Sequence, residues 1–145
     1  VHLRPTSPLR EPEILDEAII KYLEIGNNFT SLRSIHKMSE SAYKTFELDD
    51  SETLMSVCNR DYNIDSSNDA RQTFPDTFYP NGYIDILSTR FIEENNKIHG
   101  NKVLGFLTPR IIEVDEPFDL ELLNYQFART NTKYQYINGV QNESF

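Results

Sequence analysis

Two prolines, Pro5 and Pro8, constrain this chain more than any other feature. They stand in the opening stretch Val1-His2-Leu3-Arg4-Pro5-Thr6-Ser7-Pro8-Leu9-Arg10. Each proline fixes its own φ and biases the residue before it towards extended backbone, so the loop over residues 4–8 is nearly pre-shaped. The loop carries the hydroxyls of Thr6 and Ser7, with Arg4 and Arg10 on either side. Val1-His2-Leu3 reads as the last residues of a buried strand. Glu11-Pro12-Glu13 then opens a helix, with proline in its first turn and acids near the positive dipole end. In an open α/β sheet, the loop leaving the carboxyl end of a strand is where ligands bind. The plain alternative is a polar connection that binds nothing.

Leu15, Ala18, Ile19, Tyr22 and Leu23 follow at helical spacing and predict one apolar face, closed by Gly26-Asn27-Asn28. Strand, loop and helix together are the front of a βαβ unit. Residues 30–38 read as a strand, residues 42–48 as a second short one, and residues 52–57 are ambiguous. Together they look like an excursion from the main sheet over residues 30–57. Residues 59–78 form a long polar connection, and loops of that length in compact domains are usually functional or mobile. Asn81-Gly82 marks a tight turn before a strand through Tyr83-Ile84-Asp85-Ile86-Leu87. Ser88 caps a short helix ending near Asn95-Asn96, and Val103-Leu104-Gly105-Phe106-Leu107 is a strand stopped by Pro109. Ile111-Ile112-Glu113-Val114-Asp115 reads as a strand end, which puts Glu113 and Asp115 on one face. Pro117 opens a last helix with Leu120, Leu123 and Phe127 on one stripe. Residues 130–145 read as a polar tail.

At 145 residues the chain suffices for one domain with a core, residues 1–145, and 38% hydrophobic with 26% charged residues is ordinary for a globular protein. A net charge of −9 argues against a phosphate-tracking surface and so against nucleic acid as a partner, though a single nucleotide remains compatible. No window approaches a membrane span. The lone Cys58 cannot form an internal disulfide, fits a reducing cytoplasm, and is expected to be a small buried hydrophobe. His2, His36 and His99 share no metal-ligand spacing.

Three blocks taken in order resemble the acylneuraminate cytidylyltransferases, the family that makes CMP-activated sialic acids and related acidic nine-carbon sugars. The first is Leu3-Arg4-Pro5-Thr6-Ser7-Pro8-Leu9-Arg10, similar to the family's Leu-Gln-Pro-Thr-Ser-Pro-Leu-Arg loop. The second runs from Ala70-Arg71-Gln72 to Pro80-Asn81-Gly82, and the third is Ile112-Glu113-Val114-Asp115 followed by Phe118-Asp119-Leu120. The resemblance implies an α/β, three-layer Rossmann-like nucleotide-diphospho-sugar transferase fold, here incomplete at the N-terminus because no Gly-rich phosphate loop is present. It implies attack by an anomeric hydroxyl on the α-phosphate of CTP, with Mg²⁺ as cofactor, and a homodimer formed through the small β excursion. A chain without the phosphate loop is expected to be inactive alone.

Carried over position by position, the resemblance puts Lys44 and Arg71 at the reacting groups, as catalytic residues. Arg4, Thr6, Ser7, Gln72 and Asn81 become substrate-binding residues. Asp115, with Glu113 as its partner, becomes the metal site. Arg4 stands where the sialic-acid enzymes have glutamine, Tyr79 where they often have arginine, and Asp85 where tyrosine is common, so the sugar is left open. Mg²⁺ takes hard oxygen ligands and commonly one or two carboxylates, which Glu113 and Asp115 would supply. The alternative for that pair is a solvated strand end with Asp115 capping the following helix. Lys44 and Arg71 as ordinary surface bases is the alternative for those two. A non-catalytic dimerisation or ligand-binding module with the same fold is the alternative for the whole chain.

Overall fold

The computed structural model describes residues 1–58 and 63–129. The expected tail at 130–145, and the part of the polar connection at 59–62, lie outside the described residues. The chain divides into two units: Val1–Ile35 with Pro80–Phe145, and His36–Tyr79. The excursion expected over residues 30–57 therefore starts later and extends further.

In the first unit, α1 (Pro12–Glu24) begins with proline at its first turn, as the sequence predicts. Strands β4 (Phe78–Leu87), β1 (Ser31–Lys37) and β5 (Val103–Leu107) form a sheet in the order β4-β1-β5. Strands β1 and β5 run parallel, pairing Ser31 with Val103 through to Ile35 with Leu107. The molecule is thus mixed α/β with a small open sheet. Ala18 packs with Leu32, Tyr83, Ile84, Ile86 and Phe106, and Ile14, Leu15, Ile19 and Tyr22 close over them. Leu23, expected on this face, is 72% exposed. At about 100° per residue, a stripe centred on Ala18 and Tyr22 takes in Ile14 and leaves Leu23 at its margin.

Ser88 caps α2 (Thr89–Asn95) by accepting from the Phe91 N–H, again as the sequence predicts. The last helix, α3 (Pro117–Arg129), buries Leu123, which joins Leu9 in a second cluster with Ile112, Val114 and Phe127. Leu120 stays exposed. Among the described residues no helix is long and apolar enough to cross a membrane.

Several expectations are corrected. The start of the chain is not the end of a buried strand: Val1 is 68% exposed, and His2 makes an isolated antiparallel bridge to Asp85. Asn81-Gly82 is no turn between elements but a kink inside β4, where Gly82 takes φ +59. Residues 111–115 form no strand; the Val114 N–H donates to Thr6 O at 2.8 Å. A strand needs a ladder partner along its length.

The second unit is built from short pieces. A 3-10 turn, Ala42–Lys44, leads into β2 (Phe46–Leu48), which pairs antiparallel with β3 (Leu54–Ser56). Lys44 is therefore on a turn, not on a strand. Two further 3-10 turns, Ile64–Asn68 and Arg71–Thr73, occupy the expected polar connection. Cys58 is exposed, its thiol 3.2 Å from the Ala42 carbonyl, and so is not the buried hydrophobe expected of it.

Candidate functional site

Arg10 organises the first unit's opening loop. Its side chain is buried, and its guanidinium donates from Nε to Tyr83 O (2.6 Å) and from Nη2 to Arg4 O (2.6 Å) and Gly82 O (3.1 Å). One planar fork thereby ties the loop to the kink of β4. The Tyr83 hydroxyl accepts the Glu11 N–H at 2.6 Å, fixing the entry to α1. Inside the loop, the Ser7 N–H donates to Arg4 O at 3.2 Å, and Thr6 O accepts from Val114.

Gly82 is where the segments meet most closely. A Cβ built there would overlap Glu113 Oε1 and stand 3.0 Å from Arg4 Cδ. The missing side chain thus makes room for the Glu113 carboxylate and the Arg4 stem to lie against the kink. Ser7 Oγ lies 3.5 Å from Glu113 Oε1 and is fully buried, whereas Arg4, Thr6 and Glu113 are half-buried. Chemically this is a guanidinium and a carboxylate side by side on a rigid floor, able to meet an anionic group and a hydroxyl of one ligand.

Asn81 does not face a ligand. It is 2% exposed, and its carboxamide donates to Thr108 Oγ1 (2.7 Å) and Pro109 O (3.3 Å) and accepts from Tyr83 N–H (3.3 Å). It shapes the kink. Ser7, likewise buried, supports Glu113 rather than presenting its hydroxyl to solvent.

The strand face expected to pair Glu113 with Asp115 is absent. Glu113 is turned to Ser7 and Gly82, whereas Asp115 is exposed at the approach to α3. The two-residue spacing would have shared a face in a strand, which this segment is not. Asp119, rather than Asp115, satisfies the free backbone there, its Oδ2 accepting from Asp115 N–H (3.1 Å) and Glu116 N–H (2.9 Å). Among the described residues, no three His, Cys, Asp or Glu side chains gather as a metal-binding group.

The remaining expected site residues lie in the second unit. Lys44 Nζ donates to Asp69 O at 2.6 Å and sits 5.6 Å from the centre of the Phe74 ring, which stacks on Tyr43. Arg71 Nη2 donates to Met38 O at 2.7 Å. Arg71 and Gln72 line a 390 Å³ cavity with Phe74 and the Lys37–Asp76 ion pair, whose closest atoms are 2.7 Å apart. Lys44, Arg71 and Gln72 are thus gathered around Phe74 within one unit.

Sequence reasoning missed two features. Arg10 looked like a flank of the loop and is its anchor; nothing local marks this, since Tyr83 is 73 residues away. Asp85 carries a 5% exposed carboxylate with Arg33 Nε and His2 Nδ1 each at 3.7 Å, and its Oδ1 accepts no hydrogen bond. A carboxylate between isoleucines in an apolar strand was the available signal.

No family model matches the chain, and no curated protein matches it.

Proposed function

We propose that the chain has the Rossmann-like fold and substrate chemistry of a CTP-dependent nucleotidyltransferase of the acylneuraminate type, acting on an acidic nine-carbon sugar. The three ordered sequence blocks motivate the reading. The observation that carries it is the meeting of the three blocks: the proline loop and the Glu113 segment close on Gly82 of the second block, with Arg4 and Glu113 over it. In this reading Arg4 holds an anionic group of the substrate and Glu113 accepts from a sugar hydroxyl. The hydroxyl oxygen bonds to the α-phosphorus of CTP and gives up its proton to Glu113, the bond from the α-phosphorus to the oxygen bridging the β-phosphate breaks, and pyrophosphate leaves. Positioning and charge neutralisation are what such a transfer asks of a protein. The residues do not fit Mg²⁺ as a Glu113–Asp115 pair, because residues 111–115 are not a strand and the shared face that would have paired the two carboxylates is absent.

The second reading is a binding or dimerisation module that does not turn over. It is favoured by Lys44 and Arg71, whose charged ends are hydrogen-bonded to backbone carbonyls of their own unit. Exposed Leu48, Leu54 and Val57 on and beside the β2–β3 hairpin would suit pairing with a second copy.

Binding tests the first reading without requiring turnover. Titrating acidic nine-carbon sugars into the chain should shift the backbone amide signals of Arg4, Thr6 and Glu113 saturably, and Arg4→Gln should weaken the response. If those signals stay fixed for every sugar while the chain remains folded, the reading fails. A shift with no pyrophosphate release on adding CTP, in a protein carrying an added phosphate loop, would favour the module.

A further inference from the structure

Away from the opening loop, two neighbouring cavities of the first unit share lining residues. One, of about 630 Å³, is walled by Tyr22, Phe29, Leu87 and Phe91; the other, of about 210 Å³, holds Lys97 and Lys102, and both are lined by Thr30 and Phe91. We propose that together they form a binding site for a small aromatic organic anion, the ring in the larger chamber and the acid group at the lysines.

The wall chemistry decides the ligand. Several polar groups of the larger chamber are spent on the chain itself. Thr30 Oγ1 donates to His99 O at 2.5 Å, the Tyr22 hydroxyl donates to Thr30 O at 3.4 Å, and Ser88 Oγ accepts from Phe91 N–H. Arg90 Nε is held by Glu94 at 2.8 Å. The faces of Tyr22, Phe29 and Phe91 and the side of Leu87 remain to touch a ligand beside polar groups, in a volume that suits a ring-bearing small molecule.

The smaller chamber differs. Lys97 and Lys102 make no ion pair among the described residues, in a chain whose net charge is −9. They are brought to Phe91 by backbone that takes two left-handed steps, Asn96 at φ 50 and Gly100 at φ 74. A Cβ at Gly100 would stand 2.5 Å from Phe91 Cζ and 2.8 Å from Thr30 Oγ1, so the glycine is what lets the ring sit over this loop. An aromatic wall continuous with two ammonium groups matches a flat apolar body ending in a sulfonate, carboxylate or phosphate. None of these residues belongs to the site at Gly82, and the inference stands whether or not the chain transfers nucleotides.

The test uses 8-anilinonaphthalene-1-sulfonate as probe and N-phenyl-1-naphthylamine as the same ring system without the charge. The sulfonate should bind the folded chain at one site with enhanced fluorescence, and more tightly than the neutral amine. The double variant Lys97→Gln/Lys102→Gln should weaken the sulfonate about tenfold, the scale of partly exposed charge contacts, and leave the neutral amine unchanged. Gly100→Ala, which removes no charge, should weaken both probes by displacing Phe91. Equal sulfonate affinity in the native chain and the double variant would overturn the proposal. So would binding at many sites, or equal affinity for the two probes.

Discussion

The opening loop of the first unit and the 3-10 turns of the second carry similar side chains, arginine, serine and threonine, yet they are held in different ways. Residues 4–10 are fixed by a buried guanidinium that reaches carbonyls 72 and 73 residues away. The second unit's turns are fixed by their own neighbours: Ser41 Oγ accepts from Tyr43 N–H, and Asn63 Oδ1 accepts from Asp65 N–H. The first is a tertiary lock, the second a set of local caps that water can replace. A site that must keep its geometry in the absence of ligand belongs on the first kind of support.

The contrast can be broken most forcefully at Arg10. Arg10→Ala strands the Gly82, Tyr83 and Arg4 carbonyls, two of these bonds being buried. The expected loss in urea denaturation is about 3–5 kcal/mol, within the range for a buried charged hydrogen-bond donor removed with its partners left behind. A loss under about 1 kcal/mol would place Arg10 among ordinary surface arginines. Gly82→Ala is the next in size. Its φ of +59 costs an L-residue about 1–2 kcal/mol, since the Glu113 carboxylate at the far end of its side chain can move aside. That movement should abolish the response of Glu113 to sugars even where stability holds.

The local caps should yield to pH instead. Hydrogen bonds from the Thr53 N–H, then from the Ser51 hydroxyl and N–H, hold the Asp49 carboxyl below its ordinary value of 3.8. A carboxylate depressed in this way contributes stability above its unfolded value and loses it as pH falls through the folded one. Protection of the Ser51 and Thr53 amides relative to their intrinsic exchange rates should therefore fall on acidification below 3.8, with Asp49→Asn showing low protection already at neutral pH. The smallest effect is expected at Lys44. Its bond to Asp69 O and its place over Phe74 are both at the surface, so Lys44→Ala should cost about 0.5 kcal/mol or less in thermal unfolding.

The same division separates what the sequence reveals from what it hides. Pro12 with the spaced Leu15, Ala18 and Ile19 announces α1, and Ser88 announces α2, because a helix start and a helical face are written within a few residues. The stretch from Val103 to Leu107 is likewise legible as an apolar strand bounded by Pro109. The kink at Asn81-Gly82 was misread as a turn, since an Asn-Gly pair looks the same in a hairpin and in a strand bent to admit Glu113. Glu113 and Asp115 were given a shared face by a strand periodicity that residues 111–115 do not adopt. Of the candidate site, Arg4, Thr6 and Glu113 were legible as chemistry. That Ser7 and Asn81 are buried supports, and that Arg10 is the anchor, depends on partners brought in by folding.

The central claim is that Arg10 locks the opening loop to β4 before any ligand arrives, and the exchange rate of its own Nε proton measures this directly. With that proton donated to Tyr83 O at 2.6 Å in a buried setting, its signal should persist in slow exchange. The rate should be at least about 100-fold below that of exposed Arg71 at the same pH, as for a group released only by larger openings. If the two arginine protons exchange at similar rates, the loop is not locked, and the pre-shaped site at Gly82 does not exist.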